Sequence, residues 1–386
     1  MTRTLLVLGG GIVGLSCAYE ALQQGWRVTV AERGALGGQA SGAAAGMLAP
    51  YYENGEAPDA FFGLCMDSFD RYPSWIAEVE ADSGLRTGFV RSGSLHVVRH
   101  DADRLSLAGR MAWQSANGAS MEWLDEAGLA RAEPALPPGF AGALYCADEA
   151  HVQAPLLVKA LIRACRRRGA QLLPLAGELT DAESDASGGV SVQFEEYGRI
   201  SADAVCCCLG AWSGRLAAWL GLRIPVHPIR GQICAYDPAP IALRHIVFGP
   251  QAYWVGKPDG SLICGASEDE AGFDRTVTDA GIGRLVRAGG RLLPALSGVA
   301  PARSWAGLRP ATLDGRPLIG PVPGHRAVFM AAGHYRNGIL LSPATAAAFG
   351  EWLAAGGRPE SGASRHAFRP GRFGGVGARE RAEAER

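Results

Sequence analysis

The chain of 386 residues is long for one hydrophobic core, which suggests two domains or one elaborated α/β architecture. Its apolar content of 48% suits a folded globular protein, and its net charge of −1 argues against nucleic acid as a main partner. Only two of the 37 basic residues, Lys159 and Lys257, are lysines, and no G-x-x-x-x-G-K-[ST] motif occurs. An ATPase is therefore excluded, and pyridoxal phosphate chemistry is disfavoured.

The nine cysteines are odd in number and form no pair of C-x-x-C motifs, so we predict no zinc or other metal site. Most lie within apolar runs, as expected for reduced thiols in a cytoplasmic protein. The apolar runs are too short to span a membrane, and the N-terminus lacks the basic run and cleavage site of a signal peptide.

The first predicted elements form a strand, a helix and a second strand. Residues 4–8 are a short apolar run typical of a buried parallel strand. Helical spacing follows over residues 12–24 and ends at Gly25, which suits a helix C-terminus. Residues 27–32 form the second strand.

The glycines between the first strand and the helix match G-x-G-x-x-G through Gly9, Gly11 and Gly14. Gly9 allows a tight turn, Gly11 lets the backbone approach a pyrophosphate, and Gly14 lets the helix pack on the strand. The helix N-terminus can bind phosphate, and Glu32 can accept hydrogen bonds from the ribose hydroxyls. The unit therefore predicts dinucleotide binding.

The next segment, residues 37–47, is rich in small residues, so it either lies against a flat ligand or forms a flexible loop. Further helices are predicted over 60–82, 101–117, 155–168 and 278–293, and further strands over 94–98, 204–209, 232–236, 253–255, 262–265 and 328–332. A last helix begins either at Gly338 or after Ser342 as N-cap, with Pro343 at its first position, and ends near Leu353.

The order of these elements predicts an interleaved mixed α/β protein. We assign residues 1–88, 150–222 and 300–360 to a nucleotide-binding domain and residues 89–149 and 223–299 to an antiparallel substrate-binding domain. Residues 373–386 are too polar to bury and are predicted to be a disordered tail.

Motifs at both ends of the chain resemble the D-amino-acid oxidase superfamily of flavoproteins, and within it the glycine oxidases of the thiamine pathway. The resemblance covers nearly the whole chain to about Arg369, and its matching stretches are residues 9–32, 43–48, 204–214, 305–310, 314–315 and 332–345. It implies a Rossmann-like FAD-binding domain of the glutathione-reductase type with an inserted antiparallel sheet. It also implies FAD rather than NAD, bound noncovalently because Gly307 stands where sarcosine oxidases carry a flavin-linking cysteine.

The resemblance further implies which residues hold FAD. The ADP half would contact Gly9, Gly11, Ile12, Val13, Gly14, Glu32 and Arg33, and the middle of the cofactor would contact Ala40 and Ser41. Ala45, Gly46 and Met47 would lie against the isoalloxazine, and His334, Tyr335, Arg336, Asn337, Gly338, Ile339 and Leu340 would surround its pyrimidine edge. Glu178 and Gly210 complete the set of residues that would contact FAD.

The resemblance assigns the substrate carboxylate to Arg309, with Arg336 and Tyr253 as further contacts, and the planar guanidinium of arginine suits a carboxylate. Arg309 could instead be an ordinary ion-pair residue, Arg336 could only position the flavin, and Tyr253 could be a core tyrosine. Met47 and Gln251 would line the same pocket. The chain departs from the family pattern at Gln251, where the pattern has a histidine, and at residues 267–268, Ser-Glu, where it has an apolar residue.

The implied activity is FAD-dependent oxidation of glycine and other small amino acids or amines, such as sarcosine, D-alanine and D-proline. A Cα hydride would pass to flavin N5 without a side-chain base, giving the imine, then the 2-oxo acid and ammonia, with oxygen reduced to hydrogen peroxide. The resemblance also implies a homotetramer and a role in thiamine thiazole synthesis. Three alternatives stay open: a dehydrogenase of D-amino acids or secondary amines with another electron acceptor, an NAD-linked dehydrogenase, and a flavin-binding protein without turnover.

Overall fold

The computed structural model describes residues 2–55, 57–184, 189–356 and 363–375, with backbone only for 363–365. Most of the predicted disordered tail, residues 376–386, lies outside the described residues. Its first three residues are ordered: Phe373 ends a short 3-10 helix, and Gly375 forms an isolated bridge with Leu222. Among the described helices, none is long and apolar enough to cross a membrane.

A six-stranded sheet contains the N-terminal strand–helix–strand unit. Its strands are, in order, Leu318–Pro321, Val328–Ala332, Ala204–Cys207, Thr4–Leu8, Arg27–Ala31 and Gln171–Leu173. All neighbours pair in parallel except the first two strands, which are antiparallel. The two central strands are apolar and almost wholly buried, as expected for a parallel sheet covered on both faces.

Helices cover one face of this sheet and a small antiparallel sheet covers the other. The helices are Ile12–Gln23, Ala60–Ser83, Ala154–Arg167 and Gly338–Ala354, and their apolar side chains share one core with Leu5 and Val7. The strands of the small sheet are Leu179–Ser184, Val190–Phe194 and Gly198–Ala202, which share a second core with Leu6 and Leu8. The predicted α/β class and Rossmann-like arrangement are therefore confirmed.

An eight-stranded sheet forms the second half of the fold. Its order is Arg303–Thr312, Val226–Tyr236, Leu262–Gly265, Tyr253–Gly256, Ile246–Phe248, Ser94–Val98, Gly142–Cys146 and Met121–Leu124. All neighbours are antiparallel except Ile246–Phe248 and Ser94–Val98. The remaining elements are the helices Ala40–Ala43, Pro50–Glu53, Asp101–Ala116, Glu126–Ala132, Ala217–Leu220 and Asp279–Leu292, the 3-10 helices Gly210–Leu216, Pro294–Leu296, Ala363–Phe368 and Pro370–Phe373, and the paired strands Met47–Leu48 and Ala150–His151.

Two differences from the predicted elements bear on the site. The strand predicted over 232–236 begins already at Val226, because it pairs along its length with the unpredicted strand Arg303–Thr312. That partner lies within the segment 300–360, which we assigned to the nucleotide-binding domain, so the change of sheet comes after Thr312 rather than at 300. The division into two domains itself stays a prediction.

All nine cysteines are free and buried, as their apolar surroundings predicted. Cys17, Cys206 and Cys208 also bring their sulfur atoms within 4.8 Å of one another. Burial raises the pKa of the Cys17 and Cys206 thiols, which favours their protonated, packing form. Sequence spacing did not predict this group, since Cys17 comes from a distant helix, and the absence of a metal stays a prediction.

The last helix begins at Gly338, the first of the two predicted positions, so Pro343 lies inside it. A proline has no N–H, so the Ile339 carbonyl loses its partner in the helix. The Tyr72 hydroxyl donates to this carbonyl at 2.5 Å, and the Ser342 hydroxyl donates to it at 2.9 Å. Ser68, one turn earlier, accepts from the Ala344 N–H and donates to the Leu340 carbonyl. Helix Ala60–Ser83 therefore completes the hydrogen bonding that Pro343 interrupts.

We expect Tyr72→Phe to destabilise the protein by about 0.5–1.5 kcal/mol, because the buried Ile339 carbonyl loses one of its two donors and keeps only the Ser342 hydroxyl. A lower Tm in differential scanning calorimetry would show this effect. The matched control is Tyr197→Phe, since that hydroxyl also donates to a carbonyl, at 3.2 Å, but from an exposed side chain. Equal Tm values for the two variants would contradict the prediction.

Candidate functional site

A cavity of about 530 Å³ lies between the two large sheets. It opens beyond the carboxyl ends of strands Thr4–Leu8, Arg27–Ala31 and Ala204–Cys207, where open parallel sheets usually bind ligands. Glu32 and Arg33 line one end, and Arg309 and Tyr253 line the other. Every site residue predicted from the sequence lines this cavity except Gly14 and Leu340, which pack behind its wall.

The glycine motif closes the turn between the first strand and helix. Gly9 has φ +104°, and a Cβ there would lie 2.3 Å from the Cys208 carbonyl oxygen. A Cβ at Gly14 would lie 2.0 Å from the Gly9 carbonyl oxygen, so only glycine permits this contact between helix and strand. The roles predicted for Gly9 and Gly14 in shaping the turn agree with this geometry.

The Glu32 carboxylate already accepts two backbone hydrogen bonds. The Gly10 N–H donates to one oxygen at 2.8 Å, and the Gly34 N–H donates to the other at 3.0 Å. Each oxygen keeps a free lone pair, so the carboxylate can also accept hydrogen bonds from a ligand. Its position at the end of the cavity suits the predicted contact with ribose hydroxyls.

Arg33 connects this end of the cavity to the predicted residue Glu178 and to Trp212, which sequence reasoning did not predict as a site residue. Its guanidinium pairs with Glu178 at 2.9 Å and lies over the Trp212 ring, 4.4 Å from the ring centroid. Arg215 pairs with the same carboxylate. Trp212 and Arg215 also line the cavity, and their place in the 3-10 helix after Gly210 could have indicated them.

The small-residue stretch forms an ordered part of the cavity wall. The Val152 N–H donates to the Gly46 carbonyl at 2.8 Å. The buried Lys257 ammonium donates to the carbonyls of Ala45 and Val152 at 2.6 and 2.8 Å. Burial lowers the pKa of Lys257 to about 7. These bonds fix Ala45, Gly46 and Met47 at the wall, which favours the ligand-facing alternative over a flexible loop.

The loop from Gly333 to Ile339 forms the opposite wall. The Tyr335 N–H donates to the Pro310 carbonyl at 2.9 Å, which joins this loop to the strand that contains Arg309. The helix that starts at Gly338 points its N-terminus at the cavity, where its first N–H groups have no partner within the helix. Burial lowers the pKa of His334 to about 3, so this imidazole is neutral near pH 7, and it hydrogen-bonds Thr345.

The two predicted substrate arginines differ in their partners. Arg309 donates one hydrogen bond to the Ser267 carbonyl at 2.9 Å and has no carboxylate partner among the described residues. Its guanidinium lies flat over Gly231, where a Cβ would come within 2.4 Å of it. Arg336 instead pairs with Glu53 and Glu268, each at 3.3 Å. These carboxylates, Glu53 first, raise the pKa of Arg336.

Tyr253 and Gln251 lie on the same wall as Arg309. The Tyr253 ring crosses over Gly265, where a Cβ would lie 2.3 Å from the hydroxyl. Desolvation raises the pKa of Tyr253 to about 12, so the hydroxyl stays a hydrogen-bond donor at neutral pH. Gln251 is exposed and accepts from Arg291 at 3.3 Å.

Tyr52 and Glu53 line the cavity but were not predicted from the sequence. They belong to helix Pro50–Glu53, directly after strand Met47–Leu48, so their closeness in sequence to Met47 could have indicated them. Tyr52 stacks on Phe248 with ring centroids 3.4 Å apart. Glu268, noted above as a departure, also lines the cavity, beside Arg336.

The wall fits a flavin dinucleotide. Glycines leave the backbone open near one helix N-terminus at Gly11, and a second helix N-terminus meets the cavity at Gly338. Position 307 has room for no side chain, because a Cβ there would lie 2.7 Å from the Ala43 Cβ. The Glu32 carboxylate at one end suits a ribose, and the Arg309 guanidinium, which has no carboxylate partner in the described part of the chain, suits an anionic second ligand.

Comparison with known proteins agrees with this arrangement. Residues 4–352 match the DAO family, described as FAD dependent oxidoreductase. The chain is 33% identical over 353 residues to the glycine oxidase of Pseudomonas putida, covering 92% of this chain and 95% of that protein. It is 35% identical over 379 residues to the bifunctional protein ThiO/ThiG of Synechocystis, covering 96% of this chain and 54% of that protein.

Among solved structures, the glycine oxidase from Geobacillus kaustophilus matches with a TM-score of 0.90 at 32% identity, covering 97% of this chain and 100% of that chain. The similarity extends over both halves of the fold, as the sequence resemblance predicted. The chain therefore belongs to the DAO family of FAD-dependent oxidoreductases, with FAD as its cofactor.

Proposed function

We propose that this chain oxidises glycine and other small amino acids or amines, including sarcosine, D-alanine and D-proline. The observation that supports this most is the half-buried Arg309 guanidinium, which lines the cavity without a carboxylate partner among the described residues. A partly buried arginine is stabilised by a counter-ion, and an anionic ligand in the cavity would supply one. The similarity to glycine oxidases favours an amino-acid carboxylate as that ligand.

In this proposal the two sides of the carboxylate are bound by Arg309 and Tyr253. The Arg309 fork would donate two parallel hydrogen bonds, and the Tyr253 hydroxyl would donate a third. Once the carboxylate is fixed, contacts with Met47, Gln251 and Arg336 would restrict the substrate to one orientation of its Cα atom. Bound FAD supplies the hydride acceptor. The chain supplies position and electrostatics. We assign no side-chain base, since burial lowers the pKa of His334 to about 3, which makes its imidazole a weak base, and Thr345 already hydrogen-bonds it.

We propose that FAD lies along the cavity from Glu32 to Arg336, noncovalently bound. The ADP half would contact Gly9, Gly11, Ile12, Val13, Glu32, Arg33, Glu178 and Gly210, the middle Ala40 and Ser41, and the flavin Ala45, Gly46, Met47 and the residues from His334 to Ile339. Gly14 and Leu340 would act by packing behind these residues. The lining of the cavity supports this path.

The finer parts of the function rest on the similarity to glycine oxidases and ThiO/ThiG. We propose hydrogen peroxide, ammonia and a 2-oxo acid as products, a role in thiamine thiazole synthesis, a cytoplasmic location and a homotetramer. Anaerobic mixing with glycine, sarcosine, D-alanine and D-proline would test the reductive half-reaction through bleaching of the flavin absorbance. Peroxide release in air would then separate an oxidase from a dehydrogenase with another acceptor.

We expect Glu32→Ala to raise the Kd for FAD about 10- to 100-fold, because charge-assisted hydrogen bonds to the ribose would be lost. Fluorescence titration of the apoprotein with FAD measures this change. The Kd of Glu32→Gln should lie between those of the wild type and Glu32→Ala, since glutamine keeps the shape of the side chain without its charge. Glu122→Ala, at an exposed carboxylate in the other sheet, is the control. An unchanged Kd in Glu32→Ala would refute the ribose contact.

We expect Arg309→Ala to lower kcat/KM for glycine at least about 100-fold while FAD stays bound, because the carboxylate loses a bidentate partner. Arg309→Lys should recover part of the loss, since it keeps the charge but not the planar fork. Arg303→Ala removes an exposed arginine from the same strand and should leave kcat/KM unchanged. Stopped-flow flavin reduction measures all three, and undiminished reduction in Arg309→Ala would exclude the proposed site.

A further inference from the structure

Arg336 is surrounded by a small network of charged and polar groups at the substrate end of the cavity. It pairs with Glu53 on one side and with Glu268 on the other, each at 3.3 Å. The Tyr335 hydroxyl donates to the same Glu268 oxygen at 3.0 Å. We call Glu53, Glu268, Tyr335 and Arg336 the Arg336 network, and all four residues line the cavity.

The network surrounds one positive charge with two negative charges. Its net charge is therefore −1, while the neighbouring Arg309 has no carboxylate partner within the described part of the chain. A ligand carboxylate finds unused donors at Arg309, but at Arg336 it meets a guanidinium already paired with two acceptors. The two arginines of the pocket are thus unequal as anion sites.

The backbone connects the two arginines closely. Arg309 donates to the Ser267 carbonyl at 2.9 Å, and Glu268 is the next residue. Glu268 also lines the cavity, so a substituent that extends from a carboxylate held by Arg309 would come near its side chain, which is 49% exposed. Partial exposure leaves this charge only partly screened by solvent.

We propose that the Arg336 network makes Glu268 a specificity-determining residue that rejects amines with a second carboxylate and admits neutral or cationic substituents. This inference rests on the proposed function for the place of the first carboxylate. A second carboxylate would meet a guanidinium whose charge is already paired with Glu53 and Glu268, and it would be repelled by both of these carboxylates. A cationic substituent would gain a carboxylate partner at the same place.

Three secondary amines that differ only in one group test the proposal: sarcosine, iminodiacetate and N-(2-aminoethyl)glycine. Their N-substituents are a methyl, a carboxymethyl and an aminoethyl group, so only the charge and size of one arm change. In the Glu268→Gln holoenzyme, the side chain at position 268 keeps its shape but loses its negative charge. Glu270→Gln makes the same change two residues on, at an exposed residue outside the cavity lining, and is the matched control.

We expect Glu268→Gln to raise the ratio of kcat/KM for iminodiacetate to that for sarcosine about three- to ten-fold, the range for one partly screened charge. The ratio for N-(2-aminoethyl)glycine to sarcosine should fall by a similar factor. Glu270→Gln should leave both ratios as in the wild type. Raising the salt concentration should shrink the wild-type preference and leave Glu268→Gln little affected.

A binding measurement separates this inference from the proposed function. Calorimetric titration of the holoenzyme with acetate and with succinate compares one carboxylate with two, without turnover. We expect Glu268→Gln to lower the Kd for succinate relative to the Kd for acetate. If sarcosine fails to bleach the flavin but this binding ratio shifts, the proposed function is wrong and the charge selection stands. If the binding ratio equals that of Glu270→Gln, the inference is overturned.

Discussion

The antiparallel pairing of strand Arg303–Thr312 with strand Val226–Tyr236 determines where the site can form. In this register Arg309 lies opposite Ile229 and its guanidinium covers Gly231, two residues along the partner strand. The neighbouring Pro310 carbonyl accepts the Tyr335 N–H, so the same strand also fixes the loop before helix Gly338–Ala354. One edge strand thus positions both the substrate arginine and the flavin-facing wall. A shift of register by one residue would turn Arg309 to the other face of the sheet.

The pocket combines two arginines in different electrostatic states. Arg309 has no carboxylate partner among the described residues, whereas Arg336 is paired with both Glu53 and Glu268. This difference cannot be inferred from the presence of both arginines in the sequence motif, since it depends on which carboxylates the fold brings beside them. A motif identifies the guanidinium groups, and the surrounding charges decide which one can bind an anion.

Local sequence patterns predicted much of the fold, and the resemblance to the D-amino-acid oxidase superfamily named most of the residues that line the cavity. The apolar run, glycine spacing and terminal acid of residues 4–32 are all contiguous, and the strand, helix and strand were confirmed there. The strand Arg303–Thr312 and the group of Cys17, Cys206 and Cys208 were missed, because both depend on pairing between distant segments. Carboxylate partners of Arg336 were missed for the same reason, as no periodicity links positions so far apart.

The scarcity of lysine gives this protein an unusual chemical property. Of its two lysines, Lys159 is exposed on helix Ala154–Arg167, while the Lys257 amine is buried and holds two carbonyls beside the cavity. An acylating reagent can therefore reach one lysine of the native fold, and reaches the second only when the wall around Ala45 opens. The acylation rate of Lys257, followed by peptide mass spectrometry, would report local opening of the flavin-facing wall, with Lys159 as an internal reference in every molecule.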